Sequence, residues 1–348
     1  MKKLLFIISL TLLLFPSLPA QSTDTLFVTF WNLENLFDTI DDPDKNDKEF
    51  LPDSEREWTN ERLDIKQNHL ARVIRSINNG NGPDILGVCE VEHQSVLDSM
   101  IIKYLNDQNY KIAYVESPDN RGIDNGLIYK SDKFTLLSVK GDTVHLADDW
   151  PTRPIVNTAL LYQSKDTISV YVNHWPSRSR GREESEPNRM SAATTLRKSV
   201  DEEFRLNPKA KIIIIGDFND EPTNVSILET LNAIPLLCDS LPPAEEIETS
   251  GELFNLSYEA FNKGLGTYKY RDDWNMLDQI IVSGDLITNP VFSYICNTFE
   301  VYKPGFIVTH SGKYEGAPFP TYGGRRYLGG YSDHFPVTAK FLVMREID

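Results

Sequence analysis

The sequence predicts a mixed α/β sandwich, on three observations. Helical and strand-like segments interleave along the chain instead of falling into separate halves. Several strand-like segments follow one another with only a turn between them, as hairpins do. Residues 211–216 form an unbroken apolar run of isoleucines, the pattern of a strand buried on both faces. The hairpins argue against a purely doubly wound parallel sheet, in which every pair of neighbouring strands needs a crossover.

Each element follows from local pattern. Residues 26–31 read as a strand. Over 60–78, Leu63, Leu70, Val73, Ile74 and Ile77 recur at helical spacing, and Asn79-Gly80-Asn81-Gly82-Pro83 stops that helix with turn residues. A buried strand over 84–91 and a helix over 94–105 come next, then strands over 111–115, 125–129, 134–139, 155–162 and 167–173. Met190, Leu196, Val200 and Phe204 give an amphipathic helix over 186–205. The isoleucine strand and strands over 277–282 and 335–343 complete the set. Residues 239–275 and 303–330 read as long surface loops, a form that often serves as a lid or binding surface. No repeat or linker divides the chain, so residues 25–345 are expected to form one domain.

The N-terminus has a different character. Lys2 and Lys3 precede an apolar run from Leu4 to Phe15 and the small-residue stretch Pro16-Ser17-Leu18-Pro19-Ala20. That is the pattern of a secretory signal over residues 1–20, cleaved after Ala20, and the run is short for a membrane span. The expectation is export, periplasmic or secreted, with no transmembrane span after cleavage. Nothing implies a stable protein partner. Three cysteines, Cys89, Cys238 and Cys296, allow at most one disulfide and lack zinc-ligand spacing; Cys89, in an apolar strand, reads as a small buried thiol.

The 348 residues carry a formal net charge of -16. A smooth basic footprint for duplex DNA is therefore absent. Excess acid does suit a site that concentrates divalent cations, and a few arginines with bound cations can still hold an anionic substrate.

The polar residues at strand ends carry the chemistry. Glu90 ends the apolar strand Ile85-Leu86-Gly87-Val88-Cys89, where an unpaired carboxylate is costly, and is the best primary metal ligand; Glu92 lies on the same strand face. Asn32 follows Phe30-Trp31 and either contacts metal or caps the turn. Asp217 and Asn219, one residue apart after the isoleucine strand, would share one face in extended geometry; an Asx turn is the structural alternative. Asp333-His334 sets a carboxylate beside an imidazole, and Asp278, alone in the apolar run 277–281, is a candidate to orient that histidine. His174 ends another strand and could donate to a phosphoryl oxygen; taken alone it reads as a satisfied structural histidine. Arg153 and Arg178 are candidate phosphate clamps. Tyr322, Arg325, Arg326 and Tyr327 in the late loop could stack on a base or sugar.

The ordered set Trp31-Asn32, Cys89-Glu90-Val91-Glu92, Asn173-His174, Gly216-Asp217-Phe218-Asn219, Leu277-Asp278 and Ser332-Asp333-His334 resembles the endonuclease/exonuclease/phosphatase superfamily. It spans about residues 25 to 343. The resemblance implies a DNase-like four-layer αββα sandwich, two mixed β-sheets flanked by helices, with the site at one end of the sheets. It implies magnesium (manganese or calcium as alternatives) held by Glu90, with Asn32 and Asp333 nearby. It further implies His334 oriented by Asp278, Asp217 and Asn219 positioning water and phosphate, and His174 stabilising the transition state. The general base stays open between Asp217 and His334. Cys89 departs from the glutamine many members carry before the glutamate. Trp175-Pro176-Ser177-Arg178 looks like the signature of exported bacterial members. The leading expectation is an exported nuclease acting on nucleic acid. The alternatives are a phosphatase or phosphodiesterase of a small metabolite or lipid headgroup and, from another class, a noncatalytic binding protein on the same scaffold.

Overall fold

The computed structural model describes residues 21–346, apart from 164, 242–246 and 248–250; the expected signal segment 1–20 lies outside the described residues. Two seven-stranded mixed sheets dominate. One runs Phe292–Tyr294, Val337–Glu346, Gln21–Leu36, Ile85–Val91, Asp124–Lys130 and Tyr110–Val115, with Glu300–Val301 also paired to Val337–Glu346. The other runs Phe134–Asp142, Ile155–Tyr162, Asp166–His174, Lys211–Asp217, Asp278–Ser283, Leu253–Asn255 and Ala233–Pro235.

The isoleucine run shows how the layers form. Alternate side chains of a strand point to opposite faces. Ile213 and Ile215 join the central core with Phe30 and Val88 of the first sheet. Ile212 and Ile214 pack outward with Ala192, Ala193, Leu196 and Val200 of helix Arg182–Leu206. Helix Asn60–Ser76 applies Leu70, Val73 and Ile74 to the other side of the sandwich, capped by Thr59, whose side chain accepts from the Arg62 amide. The result is a four-layer αββα sandwich. The sheets pack tightly at Gly87, where a Cβ would lie 2.6 Å from Ile215 Cδ1, so any larger residue here forces a neighbour to shift.

Residues 239–275, expected as a surface loop, contain structure. Leu253–Asn255 is a fully buried strand of the second sheet, and Tyr268–Tyr270 pairs with Asp273–Asn275 as a small hairpin. Three-residue strands are too short for periodicity to reveal. Cys238 and Cys296 form a disulfide with Cα atoms 5.7 Å apart, and Cys89 is a buried free thiol. Among the described residues, no helix is long and apolar enough to cross a membrane.

Candidate active site

Two parallel strand pairs set the site. Gln21–Leu36 runs parallel to Ile85–Val91 with Asn32 opposite Cys89, and Asp166–His174 runs parallel to Lys211–Asp217 with His174 opposite Asp217. The C-terminal ends of all four strands therefore present their last polar residues together. Asp278 opens an antiparallel strand directly opposite Asp217. These ends surround a cavity of about 760 Å³, lined by Asn32, Glu90, Arg153, His174, Arg178, Asp217, Asn219, Asp333 and His334. Asp278 lies behind the wall, against His334.

The backbone breaks its ladder where the ligands sit. The pairing of the first two strands shifts register between Asn32 and Leu36, and Glu34, Asn35 and Glu90 all take left-handed φ near +50° to +60°. Such φ values cost energy for non-glycine residues and cluster at functional sites. In this bulge the Asn35 amide donates to Glu90 Oε2 at 3.0 Å, and the Glu34 amide donates to Asn32 Oδ1 at 2.9 Å. Asn32 Nδ2 donates to Asp217 Oδ2 at 3.1 Å, joining the two sheets. Asn32 thus both braces the bulge and holds Asp217.

His334 Nδ1 lies 2.7 Å from Asp278 Oδ2, and its Nε2 faces Asp217 Oδ2 at 3.9 Å. Burial disfavours a charged imidazole here, but Asp278, Asp333 and Asp217 outweigh it and raise the His334 pKa well above its ordinary value. The Tyr268 ring stacks on His334 with centroids 4.8 Å apart. His174 behaves oppositely: burial, with Arg153, Arg121 and His334 nearby, holds its pKa well below normal, so the ring is neutral. Its Nε2 faces Asp217 Oδ2 at 3.8 Å and Glu90 Oε1 at 3.9 Å, while Nδ1 has no hydrogen-bond partner among the described residues. Burial, then the Asp278 charge, push Asp217 up to about 6. Asp333 rises to about 7 through burial and the Glu34 and Glu90 charges, and its carboxylate makes no hydrogen bond among the described residues.

Asp217 and Asn219 do not share a face by extended geometry. Asn219 has φ +50°, and its amide donates to Asp217 Oδ1 at 2.9 Å, so the pair forms an Asx turn that itself faces the cavity. Asn219 Nδ2 donates to the Trp175 carbonyl at 2.9 Å. The expected clamps also line the cavity, but most of their hydrogens are in use. Arg153 pairs with Asp119 at 2.8 Å and donates to the carbonyls of His174 and Trp175. Arg178 donates to the Asn219 carbonyl, Asn275, Asp220 and Asn224. Both brace the wall of the cavity they line.

Sequence reasoning missed two arginines of the cavity wall. Arg121 donates to Asn35 Oδ1 at 2.6 Å, and the Arg182 guanidinium makes no hydrogen bond among the described residues. Neither stands in a motif; only the fold brings them to the mouth. The aromatic wall was expected in the wrong loop. Tyr268 and Tyr270 line the cavity, whereas Tyr322 packs with Trp58 and Tyr327 and sits in a cluster with Phe37 and Phe50. Arg325 pairs with Glu55. Glu92 turns away and accepts the Asp38 amide at 2.6 Å.

The donor set fits a hard divalent cation. Half-buried Glu90 and the unpartnered carboxylate of Asp333 face one cavity, and oxygen ligands of this kind suit magnesium-like ions. A second group, Asp217, Asp278 and His334, has ligand atoms within 4.8 Å of one another and could also hold a metal.

Comparisons agree with this fold. No curated protein matches the sequence significantly. Solved structures match nearly end to end at low identity. An endonuclease/exonuclease/phosphatase family protein from Bacteroides thetaiotaomicron has a TM-score of 0.53 at 16% identity, covering 92% of this chain and 99% of that one. A mannosyl-6-phosphatase from the same organism has a TM-score of 0.53 at 17% identity, covering 91% and 99%. TDP2 from D. rerio, complexed with a single-strand DNA product, has a TM-score of 0.51 at 13% identity, covering 91% and 98%. The model of the endonuclease/exonuclease/phosphatase family matches residues 27–343. Spanning almost all the described residues, that match shows that the chain belongs to the endonuclease/exonuclease/phosphatase family of metal-dependent phosphoester hydrolases.

Proposed function

We propose that this chain is an exported, magnesium-dependent phosphodiesterase whose first substrate class is nucleic acid. The observation that carries the reading is the convergence of Glu90, Asp333, His174, Asp217 and the Asp278–His334 pair on one cavity. Glu90 and Asp333 would hold the cation, which supplies charge neutralisation to the phosphoryl group when bound.

The chain's own residues supply the rest. Asp217, fixed by the Asn32 amide and the Asn219 backbone, orients the attacking water and takes its proton. The charge on His334, sustained by Asp278, and the neutral imidazole of His174 stabilise negative charge developing on phosphoryl oxygens. Arg121 and Arg182 meet the substrate's other anionic groups, and Tyr268 and Tyr270 form an apolar wall beside them.

The net charge of -16 favours a second reading, a phosphatase of a small phosphorylated metabolite. TDP2 bound to a DNA product and the mannosyl-6-phosphatase support one reading each. Supercoiled plasmid, single-stranded DNA and a panel of phosphomonoesters, each with magnesium or chelator, decide between them. DNA cleavage that falls steeply with salt supports the nuclease. Turnover of small phosphoesters alone replaces it.

The Cys238–Cys296 disulfide supports export, because such bonds persist in oxidising compartments. The measurement is the N-terminal residue of protein recovered outside the cytoplasm. Gln21 is expected; Met1 would overturn the signal reading.

A further inference from the structure

Lys66 is fully buried, a costly place for an ammonium group. It projects from helix Asn60–Ser76 to three acceptors: Thr321 Oγ1 at 2.5 Å, the Tyr331 carbonyl at 2.7 Å and the Glu34 carbonyl at 3.2 Å. Three acceptors match the three hydrogens of an ammonium. The Glu34 carboxylate stands 3.7 Å away and is itself occupied, accepting the amides of Thr321 and Tyr322 at 2.6 and 3.1 Å.

The segments joined here adjoin the two proposed cation ligands. Glu34 lies in the strained bulge whose next residue, Asn35, holds Glu90 Oε2. Tyr331 lies two residues before Asp333, and the intervening Ser332 donates to the Asn32 carbonyl at 2.6 Å. Without Lys66, two carbonyls and a hydroxyl converge with a carboxylate in a site closed to water, and only the amides of Thr321 and Tyr322 on the Glu34 carboxylate and Ser332 on the Asn32 carbonyl still join the segments.

We propose that Lys66 is a positioning residue for the divalent cation: by fastening the Glu34 bulge to the 321–331 segment, it sets Glu90 and Asp333 at the separation the cation requires. This rests on the reading that Glu90 and Asp333 hold the cation. Lys66 touches neither substrate nor cation.

The test is calorimetric titration of magnesium into the full chain, wild type against Lys66→Met. Residues that support metal ligands typically cost about 10- to 100-fold in metal affinity when replaced, and a weakening in that range is expected. Thr321→Val, which removes one acceptor and keeps the lysine, serves if Lys66→Met does not fold and should shift affinity in the same direction. Leu70→Ala, a cavity in the same helix, should lower thermal stability while leaving magnesium affinity unchanged. Glu90→Gln separates the two ideas. If it abolishes binding while folded Lys66→Met and Thr321→Val bind as wild type, the positioning role is overturned and the ligand assignment stands. If Glu90→Gln binds as wild type, the ligand assignment fails and takes the inference with it.

Discussion

Replacing Asp278 by Asn is the most informative perturbation of the proposed mechanism, because it changes one charge and almost no volume. Asp278 is fully buried, and its Oδ2 is 2.7 Å from His334 Nδ1. At that separation and an effective dielectric near 20, the Coulomb attraction is about 6 kcal/mol before desolvation is subtracted. Removing one partner of a buried pair costs about 3–5 kcal/mol in practice. If that loss is expressed in the transition state, kcat falls by roughly 10²- to 10⁴-fold, the range expected of positioned acid–base groups. The pH profile should move as well. Burial and then the Asp278 charge raise Asp217 to about 6. Losing that charge lowers the Asp217 pKa, so the acid limb of kcat/KM shifts to lower pH. His334 loses its strongest support, and an alkaline limb that depends on its proton also shifts down. The assay is the pH dependence of phosphodiester hydrolysis at saturating magnesium. An Asp278→Asn enzyme with kcat within about threefold of wild type and unmoved limbs would refute the role assigned to the pair.

Further outcomes follow from other parts of the fold. Reducing the Cys238–Cys296 bond, which closes a separation of 58 residues, should cost about 4 kcal/mol by loop entropy, read as a lower denaturation midpoint for the double Cys→Ser variant. Gly87→Ala places a Cβ 2.6 Å from Ile215 Cδ1 and should destabilise by about 1–3 kcal/mol through overpacking; Ile215→Val in the same chain should recover part of that. Asp124 is raised to about 7 by burial and by the neighbouring Glu116. Its folded pKa exceeds the unfolded one, so its contribution to stability is complete below pH 4 and lost as pH rises through 7. Asp124→Asn should therefore flatten the decline in Tm between about pH 4 and 7, and an unchanged slope would count against the assignment.

Much of this site was legible because its chemistry sits at strand ends. An apolar run ending in Glu90, and others ending near His174 and Asp217, marked residues that only a shared crevice makes affordable. Alternation explained the isoleucine strand once two cores were seen, one on each of its faces. What escaped the sequence depends on backbone geometry. Left-handed φ at Glu34, Asn35 and Glu90 has no local signature outside glycine, and the Asx turn at Asp217–Asn219 shows that a turn and a functional placement can be one feature. Arg153 and Arg178 were read as clamps because arginine beside a motif suggests phosphate. Their partners Asp119, Asp220 and Asn224 are distant enough in sequence to hide a bracing role. Tyr322 was judged by its loop's composition, yet it packs in a small aromatic cluster, and a hairpin of two three-residue strands supplies Tyr268 and Tyr270 instead.

The central claim is that phosphoester hydrolysis occurs where these strand ends meet and depends on a cation held by Glu90. The most direct measurement is hydrolysis of plasmid DNA and of a chromogenic phosphodiester by chelator-treated protein, before and after magnesium is restored, beside Glu90→Gln. The account predicts no activity without the cation, full recovery on adding it, and a folded Glu90→Gln protein that magnesium does not rescue. Hydrolysis that persists in chelator, or survives in Glu90→Gln at wild-type magnesium dependence, would contradict it.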